Sequence, residues 1–206
     1  MATPPAAPGL DPHIQNALVA IMRCVVPSMF KAQEPWALMG STASVLQGLR
    51  DYTPPDIDLA TTRDGAYIME GCVGNSGATV RPVAYSSSDR YTSYFGIFEV
   101  MDVKVEVMGD LIIHCEDGRI DVRDHWSRWS EEVRVREVEG LHIPLIAVEW
   151  QIVANALLGR PERVAGCAAC MREQGYDRAF LETLLTDQQL GERTISWVRR
   201  ELGIGG

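Results

Sequence analysis

No apolar run of the roughly 20 residues that a bilayer span demands is present in this chain. The stretch from Leu141 to Leu158 is interrupted by His142, Pro144, Glu149, Gln151 and Asn155, so no membrane anchor is expected. The first ten residues, MATPPAAPGL, hold no Lys or Arg and lack the long apolar centre of a secretory leader; a flexible start and a cytoplasmic location are expected. Basic residues are scarce, 19 Lys and Arg against 28 Asp and Glu, for a formal charge of -9. A surface of that average sign repels polyanions and disfavours broad nucleic-acid binding. Five cysteines, an odd number set among apolar residues, make no disulfide framework and suit a reducing compartment. The scattered His13, His114, His125 and His142 build no catalytic triad, since no Ser or Cys stands in a strained strand-to-helix turn.

What is present is enough apolar material for a real core. At 206 residues and 46% hydrophobic content, one domain, or one domain with a smaller helical appendage, is expected. Asp11 predicts a helix cap, and Ile14, Leu18, Ile21 and Met22 carry helical spacing over His13 to Met22. Trp36 to Met39 and Ile57 to Ala60 read as short strands joined by a helix over Ser41 to Leu49, which in a parallel crossover would return the chain to the start of the sheet. A helix capped by Thr62 or Asp64 runs to about Gly71, and Gly74 to Gly77 reads as a turn. Strands follow at Thr79 to Tyr85, Tyr91 to Phe98 and Val103 to Met108, with Met101-Asp102 as a hairpin bend, and at Arg119 to Val122 and Val133 to Val138. From Pro144 the pattern is helical: Pro144 and Pro161 suit first turns, Gly159 and Gly175 suit ends, and helices are expected to close the chain. The expected fold class is α+β, a mixed sheet with flanking helices over 1–143 followed by a helical region over 144–206.

The chemistry concentrates in three places. Asp56 and Asp58, at alternate strand positions, point to one face, where their repulsion is relieved by a cation. A hard ion such as Mg²⁺ takes oxygen ligands and leaves positions for the phosphates of a nucleotide. A third carboxylate on a neighbouring strand completes the geometry for in-line phosphoryl chemistry, and Glu106, between Val105 and Val107, is the candidate. Gly40 and Ser41 lie where a strand gives way to a helix, so backbone N–H groups and a hydroxyl can receive an anion there.

Gly40-Ser41, then Asp56-Ile57-Asp58, then Val105-Glu106-Val107, in that order, resembles the nucleotidyltransferase superfamily related to DNA polymerase beta. The resemblance covers about Trp36 to Asp110, and the helical tail is compatible with the small prokaryotic members, which include antibiotic-modifying enzymes and toxin-antitoxin proteins. It implies transfer of a nucleoside monophosphate from a triphosphate, by default ATP, to an acceptor the motifs do not identify. Gly40 and Ser41 would hold the triphosphate, and Asp56 and Asp58 would bind Mg²⁺. Glu106, in place of the more usual aspartate, would ligate a second metal or take the acceptor proton. The alternative from another class is a scaffold of the same fold that binds nucleotide or a protein partner without turnover, as in a toxin-antitoxin or regulatory component. A homodimer is compatible with the helical tail.

Blander readings stand beside these. Pro-Pro-Asp is ordinary turn chemistry, and Glu106 alone would be a surface residue paired with Lys104. A phosphatase using Asp-x-Asp needs an apolar strand before its first aspartate, which Thr53-Pro54-Pro55 is not. Cys167-Ala-Ala-Cys170 lies in an apolar helical stretch without a second pair and reads as packing. Trp126, Trp129, Trp150 and Trp197 read as core or interface. Arg81, Arg90 and Ser93 could reach a triphosphate or be solvated, and Glu149 reads as a first-turn acid of a helix, with the cleft as the alternative.

Overall fold

A computed structural model describes residues 9–50, 52–126 and 133–204; the first eight residues of the expected flexible start, and Trp129, lie outside them. Its strands are β1 (Trp36–Met39), β2 (Asp56–Thr61), β3 (Ala78–Ser87), β4 (Tyr91–Val100), β5 (Val103–Cys115), β6 (Gly118–Asp121), β7 (Arg134–Val138), β8 (Leu141–Leu145) and β9 (Gln189–Leu190). They form one mixed sheet in the order β3-β4-β5-β2-β1-β8-β7, with β6 pairing to β5 and β9 to β6. The helices are α1 (Pro12–Ala32), α2 (Gly40–Leu46), α3 (Arg63–Ser76), α4 (Arg123–Trp126), α5 (Val148–Leu157), α6 (Pro161–Gln174), α7 (Arg178–Asp187) and α8 (Glu192–Leu202). The architecture is the expected α+β one. No helix of the described residues is long and apolar enough to cross a membrane.

Period-two alternation sorts the strands' side chains into two cores. Leu38, Ile57, Leu59, Val103, Val105 and Val107 pack with α1 and α3 on one face. Met39, Ala60 and the residues of α5 to α8 pack on the other. Near the middle of β5 the parity changes. Thr92 pairs with Ile112 but Tyr94 with Gly109, one extra residue on β5, and Asp110 takes φ 50°. This bulge moves Leu111 and Ile113 to the face opposite Val107. The β4–β5 hairpin turns through Met101 and Asp102, both at positive φ, which matches a tight turn to the twist of its strands.

Helix α1 begins as expected, with the Asp11 side chain accepting from His13 N at 2.9 Å, but it continues ten residues past Met22 to Ala32 because Val25 and Met29 extend its buried stripe. Thr62 is the cap of α3, accepting from Gly65 N at 3.0 Å, and that helix takes in Gly74 to Ser76, where a turn is expected from the sequence. Pro144 does not open a helix. It lies in β8 opposite Val135, and α5 starts only at Val148. The missing N–H costs little there, since β8 meets β1 in register only at Leu38↔Leu145. The chain also returns to the sheet after α7 as the two-residue β9, so the tail is not wholly helical.

The largest departure concerns β1 and β2. They are antiparallel neighbours, with Met39 opposite Asp58, and not the parallel pair that a crossover would give. Helix α2 and the loop behind it therefore fold back at one end of the sheet. Gly40 and Ser41, at the end of β1, thus lie beside Asp56 and Asp58, at the start of β2.

Candidate functional site

Strand β2 is paired on its other side with β5, in parallel, with Asp56 opposite Lys104 and Asp58 opposite Glu106. Since Ile57 and Val105 point into the α1–α3 core, the alternate residues Asp56, Asp58, Lys104 and Glu106 point to the opposite face, toward the C-terminal helices. The fold thus gathers the three acids singled out in the sequence onto one patch, across two adjacent strands.

Gly40 adjoins them closely. Its φ is +66°, and a Cβ at this position would lie 2.0 Å from Asp58 Oδ2. Only a residue without a side chain lets the backbone come this near the carboxylate in that conformation. Met39 supplies no side-chain cap to α2, and Ser41 is buried in the cleft wall next to the acids. Thr42 Oγ1 donates to Asp56 O at 2.6 Å and Ser44 Oγ to Gly40 O at 3.0 Å, which ties α2 to the entry of β2. Two short segments far apart in sequence are in this way held as one unit.

Three neighbouring carboxylates need positive charge, and Lys104 provides it. Its Nζ lies 2.9 Å from Asp56 Oδ2 and 2.8 Å from Glu106 Oε1. The hydrogen bond to Glu106, against the cost of burial and with that to Asp56, raises the lysine's affinity for its proton. Asp58 is outside this clamp. Burial, then the charges of Asp56 and Glu106, push its carboxyl up to about 8, opposed by Lys104 and Arg160. Among the described residues no group of three or more Asp, Glu, His or Cys side chains is arranged to hold a metal ion as it stands. In kind the donors fit a hard divalent ion: they are all carboxylates, and one lacks the charge partner the other two share.

The patch forms the floor of a cleft of about 600 Å³. Its opposite wall comes from the C-terminal half. Trp150, Gln151, Ala154, Asn155 and Leu158 present one face of α5 and its end, and Arg160 and Arg163 follow at the start of α6. Asn155 Nδ2 donates to Gln151 O at 2.8 Å, while Gln151 Nε2 is buried with no hydrogen-bond partner. Nothing in the sequence pattern singled out Gln151, Arg160 or Arg163, because their part depends on how α5 and α6 dock on the sheet. Lys104 was readable only as a companion of Glu106.

Of the residues left open, Arg81 and Ser93 line the cleft and Arg90 is not among its lining residues. Glu149 faces away. It is 1% exposed, accepts from Asp177 N at 2.7 Å and lies 3.5 Å from Arg134 in a separate hollow, so it is the expected first-turn acid, buried, and not part of the cleft. Trp150 belongs to the cleft wall and is itself 2% exposed. Cys167 and Cys170 are buried, and burial pushes the Cys167 thiol up to about 12, which agrees with packing and not reactivity.

Comparison with known proteins gives a consistent assignment. The family model for aminoglycoside-2''-adenylyltransferase matches residues 21–165. A candidate nucleotidyltransferase from Thermotoga maritima, of known structure, is 27% identical, with 78% of this chain and 96% of that one covered and a TM-score of 0.59. The antibiotic-resistance factor ANT(2'')-Ia shares the fold at 12% identity, with 82% of this chain and 90% of that one covered and a TM-score of 0.51. A crystal structure of ANT(2'')-Ia with adenylyl-2''-tobramycin gives a TM-score of 0.50, again at 12% identity, over 89% of this chain and 97% of that one. No curated protein matches by sequence.

Proposed function

The chain belongs to the aminoglycoside-2''-adenylyltransferase family, within the nucleotidyltransferase superfamily, and on that premise we propose that it transfers a nucleoside monophosphate from a nucleoside triphosphate, with ATP as donor, to a hydroxyl acceptor. The observation that carries this reading is the register of Asp58 with Glu106 on the adjacent strand, with Asp56 two residues away on β2 and Gly40 directly beside Asp58. Gly40 and Ser41 would receive the triphosphate through backbone N–H groups and the serine hydroxyl. Asp56, Asp58 and Glu106 would hold Mg²⁺, whose chemistry is to polarise phosphoryl oxygens and offset the charge that builds on them.

What the chain's own residues do then follows. The acceptor oxygen bonds to the α-phosphorus, the bond from that phosphorus to the bridging oxygen breaks, and pyrophosphate leaves. Glu106, across from Asp58 on β5, would take the proton of the acceptor hydroxyl where it is not itself a ligand of the ion. Most of the acceleration comes from alignment between sheet and α5 and from fixed charge around the transferred group. Lys104 neutralises Asp56 and Glu106, two of the acids that would hold the ion.

A nucleotide-binding scaffold without turnover is the second reading, and the Lys104 clamp is what favours it, because two of three acids are satisfied without any ion. The two readings separate on pyrophosphate release from ATP with Mg²⁺ and a panel of hydroxyl acceptors. Release by wild type that drops on the order of 10³-fold in Asp58→Asn supports transfer. Metal-dependent ATP binding without release supports the scaffold, and equal metal-dependent ATP affinity in wild type and Asp58→Asn overturns the assignment of Asp58 to the metal.

A further inference from the structure

Charge and hydrogen-bonding capacity are unevenly divided around the cleft. Among the described residues lining it, the carboxylates are Asp56, Asp58 and Glu106, and two of these already bond to Lys104. Its remaining charged lining residues are Arg81, Arg160 and Arg163. Arg160 is the residue from which α6 starts and Arg163 lies in its first turn. Arg160 donates to the Tyr91 hydroxyl at 3.4 Å, and Arg163 donates to the Tyr52 hydroxyl and lies over the Tyr52 ring, 3.6 Å from its centre. Each guanidinium has five N–H donors in a planar fork, so these contacts leave donors over, in a shape matched to a carboxylate or phosphate.

A neutral group gives the same signal independently. Gln151 is 3% exposed, lies on the cleft wall, and has a buried Nε2 without a hydrogen-bond partner. A buried donor in that state is satisfied by an acceptor atom of a ligand, an oxygen, and not by an ammonium. Gln151, Asn155 and Leu158 follow one face of α5 and its end toward Arg160, which places the amide and the guanidinium at two points along one wall.

An aminoglycoside presents ammonium groups that only donate hydrogen bonds and whose charge is best met by carboxylates. None of the described lining residues outside the acid patch offers one. A nucleoside triphosphate carries about four negative charges, which two divalent ions offset, so a donor loaded with both leaves the wall basic. We propose that the acceptor is an anionic hydroxyl compound, a phosphate ester or carboxylate, whose oxyanion is held by Arg160 and Arg163 while Gln151, farther along the same wall, donates to another of its oxygens, and not the polycation for which the family is named. This rests on the transfer reading above.

The test uses the full chain loaded with the α,β-methylene analogue of ATP and Mg²⁺, which occupies the donor site without reacting. Glycerol 3-phosphate and tobramycin are then titrated separately by calorimetry. The expected result is tighter binding of glycerol 3-phosphate, weakened about tenfold in Arg160→Ala and further in Arg160→Glu. Arg160→Glu also tightens tobramycin. Arg163→Lys, which keeps the charge and loses the fork, weakens the ester less than Arg160→Glu does. Thermal melts of each variant exclude misfolding. Tobramycin binding wild type more tightly than the ester, no ester binding at millimolar concentration, or an ester affinity unmoved by Arg160→Glu overturns the proposal. Failure of the analogue itself to bind, seen before any probe is added, overturns the transfer reading and this inference with it.

Discussion

The two walls of the cleft are built on different principles. The sheet wall is local: β1 with α2, β2, and β5 each bring a short motif whose neighbours on the chain fix its direction, and Gly40 and Asp58 then touch by strand pairing. The helical wall is assembled at a distance. Gln151, Arg160 and Arg163 reach the cleft only because α5 and α6 pack across the sheet through the second apolar core. Chemistry common to the superfamily fits the first wall, and what distinguishes one member's acceptor from another's fits the second. Substitutions on the sheet wall are therefore expected to abolish the reaction, and those on the helical wall to redirect it.

The sharpest break of that contrast is Gly40→Ala. Its new Cβ meets Asp58 Oδ2 at 2.0 Å and its φ of +66° disfavours any side chain, so the carboxylate must turn away. We expect a stability loss of about 1–2 kcal/mol, and Mg²⁺-dependent nucleotide binding lowered on the order of tenfold or more. Denaturant melts and calorimetry report the two effects separately; unchanged nucleotide affinity with the lower stability would mean that Gly40 serves the fold alone.

Lys104→Met tests whether the lysine stands in for an ion. With its ammonium gone, Asp56 and Glu106 lose their shared partner. The metal-free protein is expected to melt lower and to bind Mg²⁺ several-fold more tightly, since no internal cation has to be displaced. Weaker Mg²⁺ binding in the variant would instead make Lys104 part of the ligand-binding arrangement.

A third effect is on pH. With Asp58 pushed up to about 8 by burial and its two acidic neighbours, the folded state holds a proton that the unfolded chain releases near the ordinary carboxylate value. Between those two values the folded state binds more protons, so metal-free stability falls as pH rises from about 4 toward 8. Melts in chelator at pH 6 and pH 9 are expected to show this slope in wild type, reduced in Asp58→Asn. Saturating Mg²⁺ is expected to reverse its effect at the upper end, where the ionised carboxylate is the form a metal takes.

Much of the sheet wall was readable from residues alone. Val103, Val105 and Val107 in alternation placed Lys104 and Glu106 on one face, and the spacing of Asp56 and Asp58 did the same on β2. Pro161 opens α6 and Thr62 caps α3 as their chemistry requires. The misses have physical causes. Antiparallel and parallel pairing of β1 with β2 differ only in where α2 releases the chain, and nothing in Trp36 to Met39 encodes that. The bulge at Asp110 carries Leu111 and Ile113 across the sheet against the alternation of the preceding strand. Pro144 suits a helix start and a strand position without a required N–H equally well, and tertiary packing selects the strand. Gln151 and Arg160 carry no local signature at all.

The most direct measurement is a crystal structure of wild type with the α,β-methylene analogue of ATP and Mn²⁺, whose anomalous scattering locates the ion. A peak bounded by Asp56, Asp58 and Glu106 is expected, with the Lys104 ammonium withdrawn from Asp56 and the triphosphate against Gly40 and Ser41. An ion bound elsewhere, or Lys104 still bridging Asp56 and Glu106 while nucleotide is present, would contradict this expectation.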